Sequence, residues 1–393
     1  MKYLFIHDAF PGQFIHLLRH LLAQPDVEIV AASRKGSTIK LPVRQIVYEV
    51  PEGEEGANAG MLQQAAALGL DLFRKLQPLK AEGWTPDCVI SHASTGASSF
   101  LRDVFPDARF TSFLEWYYRE VAAGDVQDTN AFYGSYAANN ANNSLLARDF
   151  DQSDAAYTPT SFQRNQFPRR WQQALEVCHE GIDTGKYAPQ EGAILTVGEK
   201  RFTANNEIIT YAARGMEHSR GFPAFMKAVA RIQKERPEAQ VLIAAADRTC
   251  YDAGGRGKPG LKSWAEKEVD FDPARTHFVG LLPEAEFIKM LQVSSLHVYL
   301  SIPFVLSWSC LNAMSVGLPV LASNNAPVQE VIRDMENGKL VDPNDLNQIT
   351  GAMLHLLDDR DAAGRLGASA RETILERFEL SASIERMLKI IHG

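Results

Sequence analysis

Two arginines, Arg214 and Arg220, follow a predicted buried strand, Ile208–Ala212, and a glycine follows each of them, Gly215 and Gly221. Glycine permits the backbone to approach a ligand closely. Two fixed cations at such a place would stabilise negative charge that develops on a phosphate group. The alternative is a pair of surface arginines at a helix start, but arginine gains nothing from the dipole at a helix N-terminus. The pattern therefore favours a phosphate site.

A strand–loop–helix pattern that occurs twice predicts the elements of a second part of this site. Buried strands are predicted at Leu296–Leu300 and Pro319–Ala322. Between them, Ser309–Val316 has helical spacing and ends at Gly317, a natural left-handed stop. The polar loop Ser323–Pro327 then opens a further helix. Both loops lie at the carboxyl ends of parallel strands, where open α/β sheets bind ligands and helix N-termini suit phosphates.

Polar side chains also follow predicted strands in the N-terminal half. His92 lies at the end of the strand Asp87–Ser91, and Glu115 lies just past the strand Arg109–Phe113. A carboxylate there could receive or orient the proton of a hydroxyl group. For each residue the alternative is a satisfied polar group at a strand end. Gly12 follows the first strand, but one glycine is a weak signal, and the G-x-G-x-x-G dinucleotide pattern is absent there.

Long segments of the chain resemble one family of enzymes. They are, in order, FPGQF at Phe10–Phe14, YTPTSFQRNQFP at Tyr157–Pro168, HEGIDT at His179–Thr184, ARGMEHSRGF at Ala213–Phe222, PFVLSWS at Pro303–Ser309 and APVQEVI at Ala326–Ile332. These segments and their order are similar to a bacterial branch of the family 4 glycosyltransferases, which are retaining enzymes of the GT-B fold. The resemblance implies an α/β protein with two Rossmann-like, doubly wound parallel-sheet domains that face a central cleft.

The resemblance and the alternation of β and α units also imply a domain organisation. We expect an N-terminal acceptor-binding domain over residues 1–185, a C-terminal nucleotide-sugar-binding domain over 186–375, and a last helix over 376–393 that crosses back to the N-terminal domain. A long helix is predicted over Met61–Leu76 and should stop before Pro78. A mobile loop and a helix start are predicted over Ala122–Asn143. The regions 61–76 and 122–143 are expected to determine acceptor choice.

The resemblance further implies roles for particular residues. Arg214 and Arg220 would neutralise the leaving diphosphate, although the gap between them is one residue longer than the family's. The residues expected to contact the nucleotide sugar are Gly12, Gly215, His218, Ser307, Trp308, Asn312, Ser323, Asn324, Ala326 and Glu330. A packed loop is the alternative for Trp308, and a structural role is the alternative for Glu330. Glu115 and His92 are expected on the acceptor side. The resemblance implies no protein nucleophile, no metal and no cofactor besides the donor substrate.

One departure from the family concerns its paired glutamates. Asn312 stands where the family usually has the second glutamate, which accepts hydrogen bonds from the nucleotide ribose, and Phe304 stands where the first would be. Asparagine can still accept one such bond and donate another, but it lacks the charge that makes the bond about twice as strong. This departure leaves open a protein that binds sugar nucleotides with weak or no turnover.

The composition bounds these interpretations. With 393 residues, the chain is long enough for two domains of ordinary size. The apolar fraction of 45% and the charged fraction of 22% are typical of a soluble globular protein. The net charge of −8 argues against bulk nucleic-acid binding. Its four cysteines have no paired spacing, so reduced thiols, a cytoplasmic location and the absence of structural zinc are expected.

A basic cluster raises the question of membrane contact. Arg164, Arg169 and Arg170 fall near Trp171, and such a cluster could touch anionic lipid or a phosphate. The favoured alternative is a solvated helix end. Peripheral association with the inner membrane face is therefore left open beside the cytoplasmic location.

The sequence as a whole predicts a retaining glycosyltransferase that moves a sugar from a nucleotide-diphosphate sugar to a hydroxyl acceptor in polysaccharide or glycoconjugate synthesis. The expected partners are the nucleotide sugar and a saccharide, lipid-linked glycan or glycoprotein acceptor. The alternative is a GT-B-like sugar-nucleotide-binding or partner protein. A sugar-nucleotide epimerase of the same fold is a third interpretation without a positive motif.

Overall fold

The computed structural model describes residues 1–36, 41–50, 60–119, 136–252 and 258–393. They divide into two compact units. The N-terminal unit contains the described residues of 1–119, 136–181 and 380–393, and the C-terminal unit contains those of 182–379. None of the described helices is long and apolar enough to cross a membrane.

A parallel sheet of seven strands forms the centre of the N-terminal unit. The strands are β1 (Lys2–Ile6), β2 (Glu28–Arg34), β3 (Arg44–Tyr48), β4 (Cys88–His92), β5 (Arg109–Phe113), β6 (Ala155–Thr158) and β7 (Leu175–Val177), in the order β3-β2-β1-β4-β5-β6-β7. The helices are α1 (Ile15–Leu22), α2 (Met61–Ala81), α3 (Leu101–Val104), α4 (Tyr136–Gln152), α5 (Ser161–Gln166) and α6 (Arg169–Gln172), and α14 (Leu380–His392) joins them from the end of the chain.

Both faces of this sheet are covered, which explains the near-continuous apolar run of β1. Because successive side chains of a strand point to opposite faces, Tyr3 and Phe5 pack in one cluster with side chains of α1 and α14. Leu4 and Ile6 pack in the other cluster with side chains of α2 and α3. Beyond Lys2 the strand therefore has no polar face, and His7 follows it directly at the carboxyl edge.

A second parallel sheet, of six strands, forms the centre of the C-terminal unit. The strands are β10 (Ile208–Gly215), β11 (Gln240–Ala246), β12 (Thr276–Phe278), β13 (Leu296–Tyr299), β14 (Val320–Ser323) and β15 (Lys339–Val341), in the order β12-β11-β10-β13-β14-β15. The helices are α7 (Phe222–Glu235), α8 (Lys262–Glu268), α9 (Glu284–Val293), α10 (Trp308–Ser315), α11 (Ala326–Gln329), α12 (Leu346–Asp358) and α13 (Arg360–Arg377). Gly317 ends the α10 segment at φ +74°, as predicted.

The last helix, α14, packs on the N-terminal sheet. The Tyr3 hydroxyl lies 2.8 Å from Nε2 of His392. Nε of Arg109 donates a hydrogen bond of 2.9 Å to the carbonyl of Ile391. The buried side chains Ile384, Met387 and Ile391 complete the apolar cluster on that face.

Three predicted elements differ from the structure. The helix expected to stop before Pro78 continues to Ala81, because Leu76 and Leu79 are both buried in the core and their packing outweighs the single hydrogen bond that proline cannot make. The apolar residues of 193–197 also predict a strand. It is β8 (Ile194–Val197), but it pairs with β9 (Lys200–Thr203) in an antiparallel hairpin outside the main sheet. The helix predicted after Pro327 is the single turn α11, which begins at Ala326.

One predicted region can be followed only in part. The region 122–143 was assigned to a mobile loop and a helix start. Its residues 122–135 lie outside the described residues. The remainder is the first part of α4, which begins at Tyr136.

Candidate functional site

The loops at the carboxyl edge of the C-terminal sheet contain most of the predicted donor-site residues. Arg214 lies at the end of β10 and not after it, because the strand continues, with a register shift, to Gly215. Its side chain is exposed and forms no ion pair within the described residues. A Cβ atom on Gly215 would lie 2.2 Å from the carbonyl oxygen of Arg248. Gly215 is therefore required for two loops to pack, and it need not touch a ligand.

Arg220 is the most unusual residue of this edge. It ends a single 3-10 turn, His218–Arg220, and is only 7% exposed. Its guanidinium lies 4.8 Å from the ring centre of Tyr251 and 5.7 Å from that of Phe304. One of its nitrogens reaches the Tyr299 hydroxyl at 3.5 Å. Among the described residues no carboxylate forms an ion pair with it, although a buried charge is costly unless it is paired.

Two carboxylates hold the turn that carries Arg220, and neither forms an ion pair with its guanidinium. Oε2 of the fully buried Glu217 accepts hydrogen bonds from the backbone N–H groups of Cys250, Tyr251 and Asp252 at 2.8–3.2 Å. Asp252 in turn accepts from the N–H groups of His218 and Ser219 at 2.9 and 3.0 Å. The roles of Glu217 and Asp252 could not be predicted from the sequence, because nothing in a loop sequence shows which backbone groups a carboxylate will reach.

The hydrogen bonds to Asp252 keep it ionised. Burial acts to raise the pKa of its carboxyl group, but the hydrogen bonds from His218 and Ser219 outweigh burial and lower the pKa to about 2. The exposed ring of His218 lies with Nδ1 3.3 Å from Oδ2 of Asp252. The carboxylate of Asp252 therefore orients the ring of His218, which lies two residues before Arg220 in the sequence.

The start of α10 is tied to β10 and β13 by hydroxyl groups. Ser307 caps the helix, and its hydroxyl accepts the N–H of Ser309 at 3.3 Å. The N–H of Ser307 donates to the Tyr299 hydroxyl at 3.1 Å, and the Ser309 hydroxyl donates to the carbonyl of Ala212 at 3.2 Å. Trp308, half-buried, is the first helical residue, one position before the predicted start. The N-terminus of α10 is thus fixed beside the Arg220 turn.

Asn312 lies one turn further along α10 and is 7% exposed. Within the part of the chain that the structure describes, its side-chain amide forms no hydrogen bond. Buried polar side chains nearly always have a partner. An amide in this state is available to a ligand that offers both an acceptor and a donor.

One residue predicted to contact the nucleotide sugar, Ser323, ends β14 and does not lie in the loop after it. Ser323 is fully buried and its hydroxyl accepts the N–H of Ser301 at 2.8 Å, so it ties the end of β14 to the residues after β13. The residue that the sequence analysis missed is Asn325, which caps α11 and donates from its amide to the carbonyl of Ser301 at 2.8 Å. Its position before the predicted helix was an available signal.

The remaining residues of this loop lie at different places around α11. Asn324 is exposed, and its side-chain oxygen accepts from the amide of Gln329 at 2.7 Å. Ala326 is exposed as the first helical residue. Glu330 caps the opposite end of the turn, and its carbonyl accepts from Arg377 at 2.9 Å. Glu330 therefore stands away from the helix N-terminus where an anion would bind.

The carboxyl edge of the N-terminal sheet brings His92 and Glu115 together. Nε2 of His92 lies 3.6 Å from Oε2 of Glu115. The sequence analysis did not assign roles to His7 and Gln13, which complete the cluster. Nε2 of His7 lies 2.8 Å from Oε1 of Gln13, and Nε2 of Gln13 donates a hydrogen bond of 2.6 Å to Oε1 of Glu115. The rings of His7 and His92 lie 4.7 Å apart.

Mutual interaction determines the charge states of His92 and Glu115. Burial acts to lower the pKa of His92, but the nearby carboxylate of Glu115 outweighs burial and the pKa is raised. Burial acts to raise the pKa of Glu115, but His92 and Gln13 outweigh it and the pKa is lowered. The pair is therefore an ion pair in the pH range between these two values.

The ring of His7 occupies the space that a side chain at Gly12 would need. A Cβ atom at Gly12 would lie 2.1 Å from Nε2 of His7, and the residue has φ +50°. Any larger residue would displace the His7 ring. The predicted nucleotide-sugar contact of Gly12 is untested, but its packing role explains why glycine is needed.

A second buried carboxyl group, Asp149, holds the loop after β4. It accepts hydrogen bonds from the Ser98 hydroxyl and from the N–H of Ser94 at 2.8 Å. Ser94 has φ +77°, a conformation that non-glycine residues rarely adopt. Burial raises the pKa of Asp149 to about 6, against opposing hydrogen bonds from Ser98 and Ser94.

The basic and aromatic cluster predicted near Trp171 is not available as a surface. Trp171 is buried, and its ring stacks on Phe150 with 4.7 Å between ring centres. Arg169 and Arg170 are exposed beside it. The aromatic residue of the cluster therefore belongs to the core, and only the arginines are exposed. This arrangement favours the alternative interpretation, in which the arginines lie at a solvated helix end. Among the described residues, no group of three or more His, Cys, Asp or Glu side chains could hold a metal ion.

Two parallel α/β sheets with ligand-suited loops at their carboxyl edges define a GT-B class protein. Two family models match the chain: residues 25–187 match the glycosyl transferase family 4 group, and residues 198–373 match the glycosyl transferases group 1. Together these matches cover most of the sequence. The chain belongs to the family 4 glycosyltransferases, which confirms the predicted family.

Similar proteins are known by sequence and by structure. A GDP-mannose-dependent alpha-(1-6)-phosphatidylinositol monomannoside mannosyltransferase of Mycobacterium tuberculosis is 21% identical over 269 residues, 64% of this chain and 64% of that relative, so less than two thirds of that relative's length is spanned. Sucrose-phosphate synthase from Thermosynechococcus elongatus has a TM-score of 0.73 at 17% identity, over 99% of this chain and 98% of that chain. Anabaena HepE in complex with UDP and glucose has a TM-score of 0.72 at 13% identity, over 100% of both chains. At these identities, the structural likeness shows the fold alone and confirms GT-B.

Proposed function

We propose that this chain is a retaining glycosyltransferase that transfers a sugar from a nucleotide-diphosphate sugar to a hydroxyl acceptor in polysaccharide or glycoconjugate synthesis. The observation that carries the proposal is the buried Arg220 guanidinium without an ion-pair partner among the described residues. A cation in this state is stabilised when an anion binds, and the leaving group of a nucleotide sugar is a diphosphate. The family membership supports the same reaction class.

The surroundings of Arg220 suit a phosphate more than another anion. The N-terminus of α10 lies against the same loop, and the positive end of its helix dipole favours phosphate oxygens. Arg214 adds a second, exposed cation at the end of β10. As the bond between the sugar and the diphosphate breaks, these groups would stabilise the charge on the leaving oxygen. We propose that they act in place of a divalent metal ion, so EDTA should leave turnover unchanged.

We further propose that Glu115 and His92 bind the acceptor hydroxyl. Their support is the ion pair at the carboxyl edge of the N-terminal sheet. The mycobacterial relative carries phosphatidylinositol monomannoside in its name, and HepE was crystallised with UDP and glucose. By analogy, the acceptor is a saccharide, a lipid-linked glycan or a glycoprotein.

The proposed location is the cytoplasm, with peripheral contact at the inner membrane face for a lipid-linked acceptor. Its support is chemical: all four cysteines are free thiols, and three of them are buried. Free thiols persist in reducing compartments. Recovery of the protein with washed membranes at low salt, and its release at high salt, would support the peripheral contact.

The decisive experiment measures release of nucleoside diphosphate from UDP-, GDP-, ADP- and dTDP-sugars, with and without candidate acceptors. We expect turnover of one donor, and a loss of that turnover of about 100-fold in Arg214→Ala, the size seen when one charge-stabilising donor is removed. The matched control is Arg231→Ala, an exposed arginine of α7 that pairs with Asn347. Anomeric configuration of the product, read by NMR, tests retention. Equal turnover in both variants would contradict the phosphate role of Arg214.

A second candidate function is supported by Asn312. The family's glutamate is replaced there by an amide with no side-chain hydrogen bond within the described residues. A protein that binds a sugar nucleotide or a partner transferase without turnover would tolerate this loss of charge. The test is Asn312→Glu: a binding-only protein should gain affinity or activity, whereas an enzyme adapted to its own donor should lose activity with that donor. Donor affinity by calorimetry and turnover are measured on the same samples.

A further inference from the structure

The cluster at the N-terminal sheet edge has a fixed direction of hydrogen bonding. The N–H of Ala9 donates to Nδ1 of His7 at 3.0 Å, so Nδ1 carries a lone pair and the ring proton lies on Nε2. That Nε2–H donates to Oε1 of Gln13 at 2.8 Å. The Gln13 amide is thereby oriented with its N–H toward Oε1 of Glu115 at 2.6 Å.

These contacts leave one oxygen of Glu115 available. Oε1 is occupied by Gln13, whereas Oε2 faces Nε2 of His92 at 3.6 Å, longer than a hydrogen bond. Nδ1 of His92 lies 3.1 Å from the carbonyl of Ala93 and donates to it, so a charged His92 presents its second N–H toward Oε2. An oxygen atom beside this gap can reach both groups at hydrogen-bond distance.

We propose that His7 and Gln13 are positioning residues that orient Glu115 so that its Oε2, together with His92, holds the acceptor hydroxyl. This inference rests on the proposed function. His7 and Gln13 do not touch the acceptor. They fix the carboxylate rotamer and, by occupying Oε1, direct the incoming hydroxyl to Oε2. The proposal concerns orientation of the hydroxyl and includes no proton transfer to the protein.

His7 must remain neutral for this arrangement to work. Its ring lies 4.7 Å from that of His92, so a second imidazolium would repel the first. Protonation of His7 at Nδ1 would also break its contact with Ala9. The other titratable groups that face the cluster are Asp8, from the loop after β1, and Asp149, from α4. Neither forms a hydrogen bond with Glu115.

The first test reads the hydrogen-bond chain without any turnover. Long-range ¹⁵N–¹H NMR of the histidine rings in the full chain, assigned with His7→Phe and His92→Phe, should show His7 as the Nε2–H tautomer. His92 should titrate above free histidine in the wild type and closer to it in Gln13→Leu, because a freed Glu115 can rotate away. A His7 ring protonated at Nδ1, or a His92 titration unchanged in Gln13→Leu, would overturn the proposal.

The second test separates positioning from general damage. Gln13→Leu and His7→Phe should lower kcat/KM for the acceptor by about 100-fold, the cost of a displacement on the order of 1 Å, with KM for the donor unchanged. The matched control is Phe14→Leu, which removes packing against the His7 ring, 5.7 Å away, but no hydrogen bond. It should lower Tm and retain the acceptor KM. Equal acceptor kinetics in Gln13→Leu and wild type would contradict the proposal.

A pH profile supplies a readout that structural damage would not move. Gln13→Glu places a second carboxylate against Oε1 of Glu115, and two carboxylates at this distance must share a proton. The acid limb of the acceptor kcat/KM profile should therefore move to higher pH, and superimposable profiles would refute the role of Gln13. If the wild type shows no acceptor-dependent turnover, the proposed function fails, and the NMR result alone decides whether the hydrogen-bond chain exists.

Discussion

The pKa of a buried carboxyl group in this protein depends on its hydrogen-bond partners as well as on its burial. Asp149 and Asp154 show how local partners decide the outcome. Asp149 is buried among neutral donors, and its pKa is raised to about 6. Burial also acts to raise the pKa of Asp154, but the N–H of Phe110 and the guanidinium of Arg102 outweigh it and lower the pKa. The two carboxyl groups therefore contribute to stability with opposite dependence on pH.

The sign of each contribution follows from proton linkage. The folded state binds the Asp149 proton more tightly than the unfolded state, so its contribution is present below about pH 4 and is lost as pH rises through about 6, a change of about 3 kcal/mol. We expect urea unfolding of Asp149→Asn to lack this loss. The free energy of unfolding of the mutant should therefore rise relative to that of the wild type between pH 4.5 and 7.5. Asp154→Asn is the control: because the pKa of Asp154 is lowered, its contribution changes only below about pH 4, so the difference in unfolding free energy between this variant and the wild type should stay constant over the same interval. Parallel curves for all three proteins would contradict the assignment.

At the scale of elements, close backbone contacts place the loops and helices that carry the site. Helix α13 packs against the segment that ends α10, and a Cβ atom on Gly367 would lie 2.1 Å from the carbonyl oxygen of Gly317. Arg371, one turn further, donates to the carbonyls of Ser315 and Tyr187 and so caps the end of α10. The helix that carries Asn312 is thus held at its C-terminal end by α13.

Two glycines of α13 predict opposite effects of the same substitution. Gly367→Ala forces a methyl group into the Gly317 carbonyl and should destabilise the protein by about 1–3 kcal/mol or more, the usual cost of overpacking. Gly364→Ala meets open space on the exposed side of the helix and should stabilise it by about 0.5–1 kcal/mol, because alanine is the better helix former. Denaturant unfolding of both variants checks the signs. Destabilisation by Gly364→Ala would show that α13 is not held as described.

The elements also show how far the sequence could predict the structure. The apolar strands β4, β5 and β13 were predicted within one residue, because buried parallel strands are near-continuous apolar runs. The length of α2 was not, because whether Pro78 ends a helix depends on tertiary packing of Leu79. Within the site, the sequence indicated Arg220 but not Glu217, since a carboxylate that binds three backbone N–H groups leaves no periodic signal.

At the scale of the whole molecule, the chain returns to its beginning. After the C-terminal unit, α14 packs on the N-terminal sheet through Tyr3, Arg109 and the cluster that contains Phe5. The N-terminal unit therefore depends on both ends of the sequence, and its core is complete only when the last helix has been made. No local pattern predicts this: the amphipathic spacing of residues 382–391 predicts a helix with one apolar face, and only the resemblance to a known family predicts which sheet it packs on.

The buried charge of Arg220 has a consequence for the abundance of the protein in its cell. If a diphosphate pairs this buried cation, as proposed above, the empty protein is less stable than the loaded one, because a ligand that binds only the folded state adds stability as its concentration rises. Unfolded molecules are removed by proteases, so a difference of about 1–2 kcal/mol changes abundance several-fold. We expect the amount of this protein to follow the supply of its activated sugar, with no dedicated regulator, so that a cell short of donor would also hold fewer copies of the enzyme that consumes it.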